Sequence, residues 1–248
     1  MSCLIPRPFK IERKKMHTIR ESSARGKAET EWLSSRHSFS FGHYRDPKQM
    51  GFRALRVINE DRVSPGSGFS KHSHTDMEII SYVLEGALEH KDSLGTGAII
   101  HPGEIQRMSA GTGVEHSETN ASGSQAVHFL QIWIVPDQRG IAPGYEQKAL
   151  PTTEDGETRL DLIGSPDGRG SSVTIHQDVL LYRAMLAHGG ALEIPIASER
   201  HAWVQVARGN AIVDGTDLQE GDGLALSGKT SIKLSSTAGA ELLIFDLA

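Results

Sequence analysis

Residues 66–86 read GSGFSKHSHTDMEIISYVLEG. Two histidines, His72 and His74, stand one residue apart, and the run EIISYVL (78–84) follows them, closed by Gly86. A short apolar run rich in β-branched and aromatic residues, bounded by turn residues, reads as a β-strand. On a strand, side chains at i and i+2 leave from the same face, so two imidazoles in this spacing can reach one ion from a fixed wall. Alone the pair is a weak signal, because exposed or turn histidines fall into it by chance.

The texture continues on both sides. FRALRVI (52–58), AIIH (98–101) and VHFLQIWIV (127–135) are further short β-type runs, and SPGSG (64–68), DSLGTG (92–97) and SAGTG (109–113) are turns between them. No helical period of ten to fifteen residues separates the runs, which favours a sandwich or barrel over βαβ units. The only helical turn expected lies near 27–33. After Pro136 the chain loses its long strands, and 137–165 reads as a linker between an N-terminal domain, 16–136, and a second one, 166–248. Strand-like runs resume there as SVTIHQDV (172–179), LYRAML (181–186), HAWVQVA (201–207) and ELLIFDL (241–247). Two halves of similar texture point to a duplicated all-β fold.

Composition narrows the chemistry. With 26 glycines and ten prolines in 248 residues, and no long Ala/Leu/Glu/Lys heptads, a helical bundle is excluded. Cys3 is the single cysteine, so neither an internal disulfide nor a multi-thiolate zinc site can form in one chain. A metal must then be held by His, Asp or Glu, and twelve histidines are available. The formal net charge is −5 and no long basic stripe exists, which argues against direct nucleic-acid binding. Lys10, Arg13, Lys14 and Lys15 read as a solvated tail, and 1–15 as an extension before a second start at Met16. No apolar run approaches a membrane span and the first twenty residues hold no secretory h-region, so a cytoplasmic location without membrane attachment is expected.

A second constellation, Gly113-x2-His116-x-Glu118-x-Asn120, repeats the i, i+2 geometry. A second strand could therefore face His116 and Glu118 toward His72 and His74. Three imidazole nitrogens and one carboxylate oxygen suit one divalent transition ion, whether iron, nickel, cobalt, copper, manganese or zinc. An octahedral ion would keep two positions open for chemistry.

At these residues the chain resembles a cupin, a jelly-roll β-barrel. Gly66, His72, His74 and Gly86 resemble the first cupin motif, and Gly113, His116 and Asn120 the second, with Gly111 where proline is usual. Counted back from Gly86, the motif's glutamate should stand at Ile79, so Glu78 is shifted by one residue and expected on the opposite strand face, and Glu118 can replace it. This exchange, with HSFSFGHYRDP (37–47), ALRVINEDRV (54–63), EHKDSLG (89–95), QRMSAGTGVEHSE (106–118) and LQIWIVP (130–136), resembles the pirin family of bicupins. The resemblance implies two tandem cupin domains, metal ligands His72, His74, His116 and Glu118, and a second domain without ligands, since the His-x-His positions there fall on Pro195 and Ala197.

It also implies a dioxygenase that cleaves a flavonol such as quercetin with O2, releasing carbon monoxide. Among the four ligands Glu118 is the one suited to accept a proton as well, and it reads as the catalytic base. The alternative it carries is a metal-binding regulator acting through a protein partner. A monomer is expected. Of the other histidines, His90 reads as a turn hydrogen-bonder, and His128 as a core residue sharing a buried face with Leu130, Ile132 and Ile134 near the metal. His176, His188 and His201 receive no role. Phe39 and Phe41 read as core packing on one strand face.

Overall fold

The computed structural model describes residues 17–152 and 156–248. The expected extension 1–15 lies outside the described residues. In chain order the strands are β1 (His17–Arg20), β2 (Gly26–Glu29), β3 (Leu33–His37), β4 (Leu55–Val63), β5 (Gly68–His74), β6 (Glu78–Glu85), β7 (Leu88–Asp92), β8 (Gly97–Ile100), β9 (Glu104–Ser109), β10 (Val114–Asn120), β11 (Val127–Ile134) and β12 (Gly144–Ala149). The second half follows with β13 (Arg159–Ser165), β14 (Val173–Thr174), β15 (Val179–Leu186), β16 (Ala191–Pro195), β17 (His201–Gly209), β18 (Ala211–Val213), β19 (Thr216–Leu218), β20 (Gly223–Ser227), β21 (Ser231–Ser235) and β22 (Ala240–Leu247).

These strands make two sandwiches wired alike. A seven-stranded sheet in the order β12-β9-β6-β11-β4-β3-β2 carries a four-stranded sheet, β5-β10-β7-β8. In the second half β1-β20-β17-β22-β15-β13-β14 carries β16-β21-β18-β19. The fold is all-β and duplicated, as expected. Gly86 and Gly209 mark equivalent turns. Both have positive φ, 77° and 72°, and a Cβ would lie 2.6 Å from the Ala126 carbonyl oxygen in one and 2.5 Å from that of Gly239 in the other. Only glycine meets both demands.

The two large sheets pack back to back. Ile80, Tyr82 and Leu84 of β6 and Leu130, Ile132 and Ile134 of β11 join Val179, Leu181, Leu243 and Phe245 in one buried cluster. The alternate residues, Val83 and Phe129, face the small sheet with Leu88 and Ile100. β6 and β11 are thus covered on both sides, which is why their sequences are nearly continuous apolar runs. The Tyr82 hydroxyl to the Glu241 carboxylate and the Arg208 guanidinium to the Leu84 carbonyl add polar ties between the halves.

Three expectations are corrected. The helical turn near 27–33 is absent: β2 and β3 pair as a hairpin, Gly26 opposite His37, and the described helical structure is one 3-10 turn at Ser22–Ala24. The expected linker 137–165 holds β12, which pairs with β9, and β13, which pairs with β15. Charged and glycine residues hid these strands because both are half-solvated. The expected N-terminal domain, 16–136, also gives up a strand, since β1 pairs with β20 of the second sandwich.

Candidate metal centre

The small sheet brings the two sequence constellations together. β10 runs antiparallel to β5, placing His116 opposite His72 and Val114 opposite His74. A bulge between His116 and Glu118 shifts the register so that Glu118 faces Phe69; bulges of this kind re-aim side chains. The imidazoles of His72, His74 and His116 form a triangle with ring centroids 4.5 to 4.9 Å apart, and their ligand atoms lie within 4.8 Å of one another. Glu118 lines the same cavity as His72 and His74. Its carboxylate groups most closely with His116 and His90.

Each candidate ligand is prepared. The His72 Nδ1 lies 2.8 Å from the Ser70 carbonyl, to which it donates, leaving Nε2 with its lone pair for an ion. His74 packs edge-on against Trp133, centroids 4.9 Å apart. Burial, together with the neighbouring His116 and His72, lowers the His74 pKa to about 4. Burial, then His72 and His90, lowers that of His116 to about 3. Both rings are neutral at pH 7, the form that binds metal. His116 is 1% exposed, and neither ring nitrogen has a hydrogen-bond partner. A buried polar group without a partner costs free energy, and a metal ion would satisfy it, so the residues present fit the ion.

Glu118 is held through one oxygen. Gln131 donates to Oε1 at 2.9 Å and Ser81 at 3.1 Å, leaving Oε2 to take a ligand or a proton. Behind the candidate ligands, the His90 Nε2 and Asp92 Oδ2 pair at 3.0 Å, both side chains fully buried. Against the upward pull of burial, the bonds from His90 and from the Thr96 and Leu94 amides lower the Asp92 pKa. The cavity in front measures about 400 Å³, within the usual range of small-molecule sites. Trp32, Phe41, Phe69 and Trp133 wall it, with Asn59 and Asp61 at one side. Burial, outweighing a bond from Ser35, raises the Asp61 pKa to about 7, and Glu118 and Glu60 push in the same direction.

Several sequence readings change here. His90 is no turn residue: it sits on β7 directly opposite Glu118. His128 is a core residue bonded to Glu60 at 3.0 Å, and the face it shares with Leu130, Ile132 and Ile134 looks toward the second sandwich, away from the metal. Phe39 is core, packed at a tilt against Trp203 with ring centroids 4.8 Å apart, whereas Phe41 lies outside any strand and lines the cavity. Glu78 is fully buried on the opposite face of β6 and bonds Ser109 and His176 at 3.0 and 3.1 Å, so its one-residue shift does carry it away from the imidazoles. Ser81, Gln131, Asn59 and Asp61 were missed. Ser81 and Gln131 are lone polar residues inside apolar runs and Asn59 and Asp61 share an i, i+2 spacing, but both faces of β6 and β11 are buried and the sequence does not say which one meets the cavity. Among the described residues the ligand groups all lie in the first sandwich.

Residues 18–134 match the family described as Pirin, and residues 162–247 match the quercetinase C-terminal cupin domain. The quercetin 2,3-dioxygenase of Escherichia coli K12 is 44% identical over 229 residues, which cover 92% of this chain and 97% of that protein. The chain belongs to the pirin family. Among solved structures, the bacterial pirin YhhW from Escherichia coli in complex with nickel(II) superposes with a TM-score of 0.88 at 44% identity, covering 94% of this pirin and 99% of YhhW. A second crystal structure of YhhW gives a TM-score of 0.90 over 94% and 98% of the two chains.

Proposed function

We propose that this pirin is a metal-dependent dioxygenase that opens the central ring of a flavonol such as quercetin and releases carbon monoxide. One observation carries the reading: three imidazoles, two of them held neutral, and one buried carboxylate converge on an aromatic-walled cavity of about 400 Å³. The names of the similar Escherichia coli proteins support it. His72, His74, His116 and Glu118 would hold the ion, and a divalent transition metal bound there supplies Lewis acidity and a template for substrate and O2. Iron is the first candidate, and a set of borderline ligands accepts nickel equally.

The chain's own residues do the rest. Trp32, Phe69, Phe41 and Trp133 sandwich flat rings and keep water from the reacting enolate. Glu118 accepts the 3-hydroxyl proton on Oε2, while Ser81 and Gln131 keep Oε1 in place. The reaction balances as follows: O2 adds across the carbon bearing the outer ring and the ketone carbon, giving an ester carbonyl at the first and a carboxylate at the second. The carbon between them leaves with its own oxygen as carbon monoxide, and the hydroxyl proton ends on the carboxyl group.

The test is aerobic loss of quercetin absorbance in metal-loaded protein, set against His74→Ala and against anaerobic protein. Turnover only in aerobic wild type supports the reading. Anaerobic turnover would make the site an isomerase, and full metal loading without any turnover would leave the regulatory role as the better account.

A further inference from the structure

The wall formed by Phe41 and Trp133, rings 5.2 Å apart and edge to face, has a cavity on each side. The one away from the imidazoles measures about 330 Å³ and is lined by Arg45, Arg56, Tyr44, Met50 and Met77 besides the two shared rings. A tight turn shapes it, since Phe41 and Tyr44 exchange backbone bonds of 3.0 Å across Gly42, which has φ 54°. Phe41 thereby faces the metal cavity while also lining this one with Arg45.

Its charge is unbalanced. Among the described residues no acidic one lines the cavity. Arg56 is half-buried and its Nη1 donates to the Ser40 carbonyl at 3.1 Å, and Arg20 behind it donates to the Tyr44 hydroxyl at 2.7 Å and the Ser38 carbonyl at 2.8 Å. Among the described residues no carboxylate lies in ion-pair range of Arg20, Arg45 or Arg56. Elsewhere Arg25, Arg107, Arg183 and Arg200 each meet a carboxylate. In an acidic chain, arginines left without acids beside aromatic and methionine walls leave a place for an anion with a flat apolar body. Arginine's planar fork matches a carboxylate in particular.

We propose that this second cavity binds an aromatic carboxylate of the hydroxybenzoate type. The ester left by flavonol cleavage bears such a carboxylate, and the shared Phe41–Trp133 wall sets the cavity beside the site that would form it; that identification of the natural occupant rests on the function proposed above.

Calorimetric titration of the protein with benzoate, benzamide and inorganic phosphate, with and without loaded metal, tests the proposal. Benzoate is expected to bind in both metal states and benzamide in neither, with affinity falling about tenfold in Arg45→Gln and in Arg56→Gln. Arg56 also holds the Ser40 carbonyl, so Arg45→Gln, at an exposed position, carries the result should Arg56→Gln melt early. Benzoate binding that vanishes with the metal, equal binding of benzamide, phosphate binding as tight as benzoate, or unchanged affinity in Arg45→Gln would overturn it. No titration requires turnover, so a protein that fails to cleave flavonols can still bind benzoate, and the reverse.

Discussion

Asp61 offers a sharp test of how the cavity is charged. The residue is 3% exposed, and Oδ1 is buried without a partner. Burial raises the folded pKa from 3.8 to about 7. An acid whose pKa is raised by folding is protonated more readily in the folded state, so stability falls as pH rises from the unfolded value through the folded one. At about pH 8.5 the whole shift of roughly three pH units acts, a penalty of about 4 kcal/mol at about 1.4 kcal/mol per unit. At about pH 5.5 the folded carboxyl is still protonated, and the penalty is about 2 kcal/mol. Asp61→Asn removes the charge and keeps the shape. Urea unfolding of metal-free protein should therefore show the variant more stable than wild type, with the advantage growing by about 2 kcal/mol between those pH values, or about 4–8 °C in Tm. A divalent ion in the same cavity offsets the negative charge, so metal loading should shrink the advantage. An advantage independent of pH, or identical with and without metal, would refute the reasoning.

Glu118→Gln should retain metal by elemental analysis yet lose kcat by about 10²–10⁴-fold, as expected for removal of a general base; full activity would end that assignment. Gln131→Leu deprives Glu118 of one of its two donors, and kcat should fall about tenfold in steady-state assays, because the bond positions the carboxylate. Gly86→Ala and Gly209→Ala should each destabilise the fold by about 2 kcal/mol or more in urea melts, because both positions combine positive φ with a carbonyl in the path of a Cβ. A silent Gly209→Ala would break the equivalence of the two turns.

Much of this was legible in the residues. The His72-x-His74 and His116-x-Glu118 pairs carry their own geometry, because a strand fixes which side chains share a face, and the antiparallel pairing of β5 with β10 does the rest. Glu78 was readable for the same reason: one residue of offset turns it toward His176. The sequence was silent where function depends on which face of a doubly buried strand looks where. In VHFLQIWIV both faces are apolar, so nothing marks Gln131 as facing the cavity of the candidate site and His128 as facing away until the second sandwich covers β11. His90 was underrated because its partner Asp92 follows in a turn-like string, and its role shows only when β7 lies beside β10. Strands β12 and β13 escaped because charged residues and glycines give their sequences the composition of a loop.

The most direct measurement is carbon monoxide trapped per flavonol consumed, under heavy-oxygen-labelled O2, in metal-loaded wild type and His74→Ala. One carbon monoxide per quercetin, unlabelled, with both labelled atoms in the ester product and no reaction in the variant, is the outcome expected. Quercetin loss without carbon monoxide, label from water in the product, or equal turnover by His74→Ala would contradict a dioxygenase centred on His72, His74, His116 and Glu118.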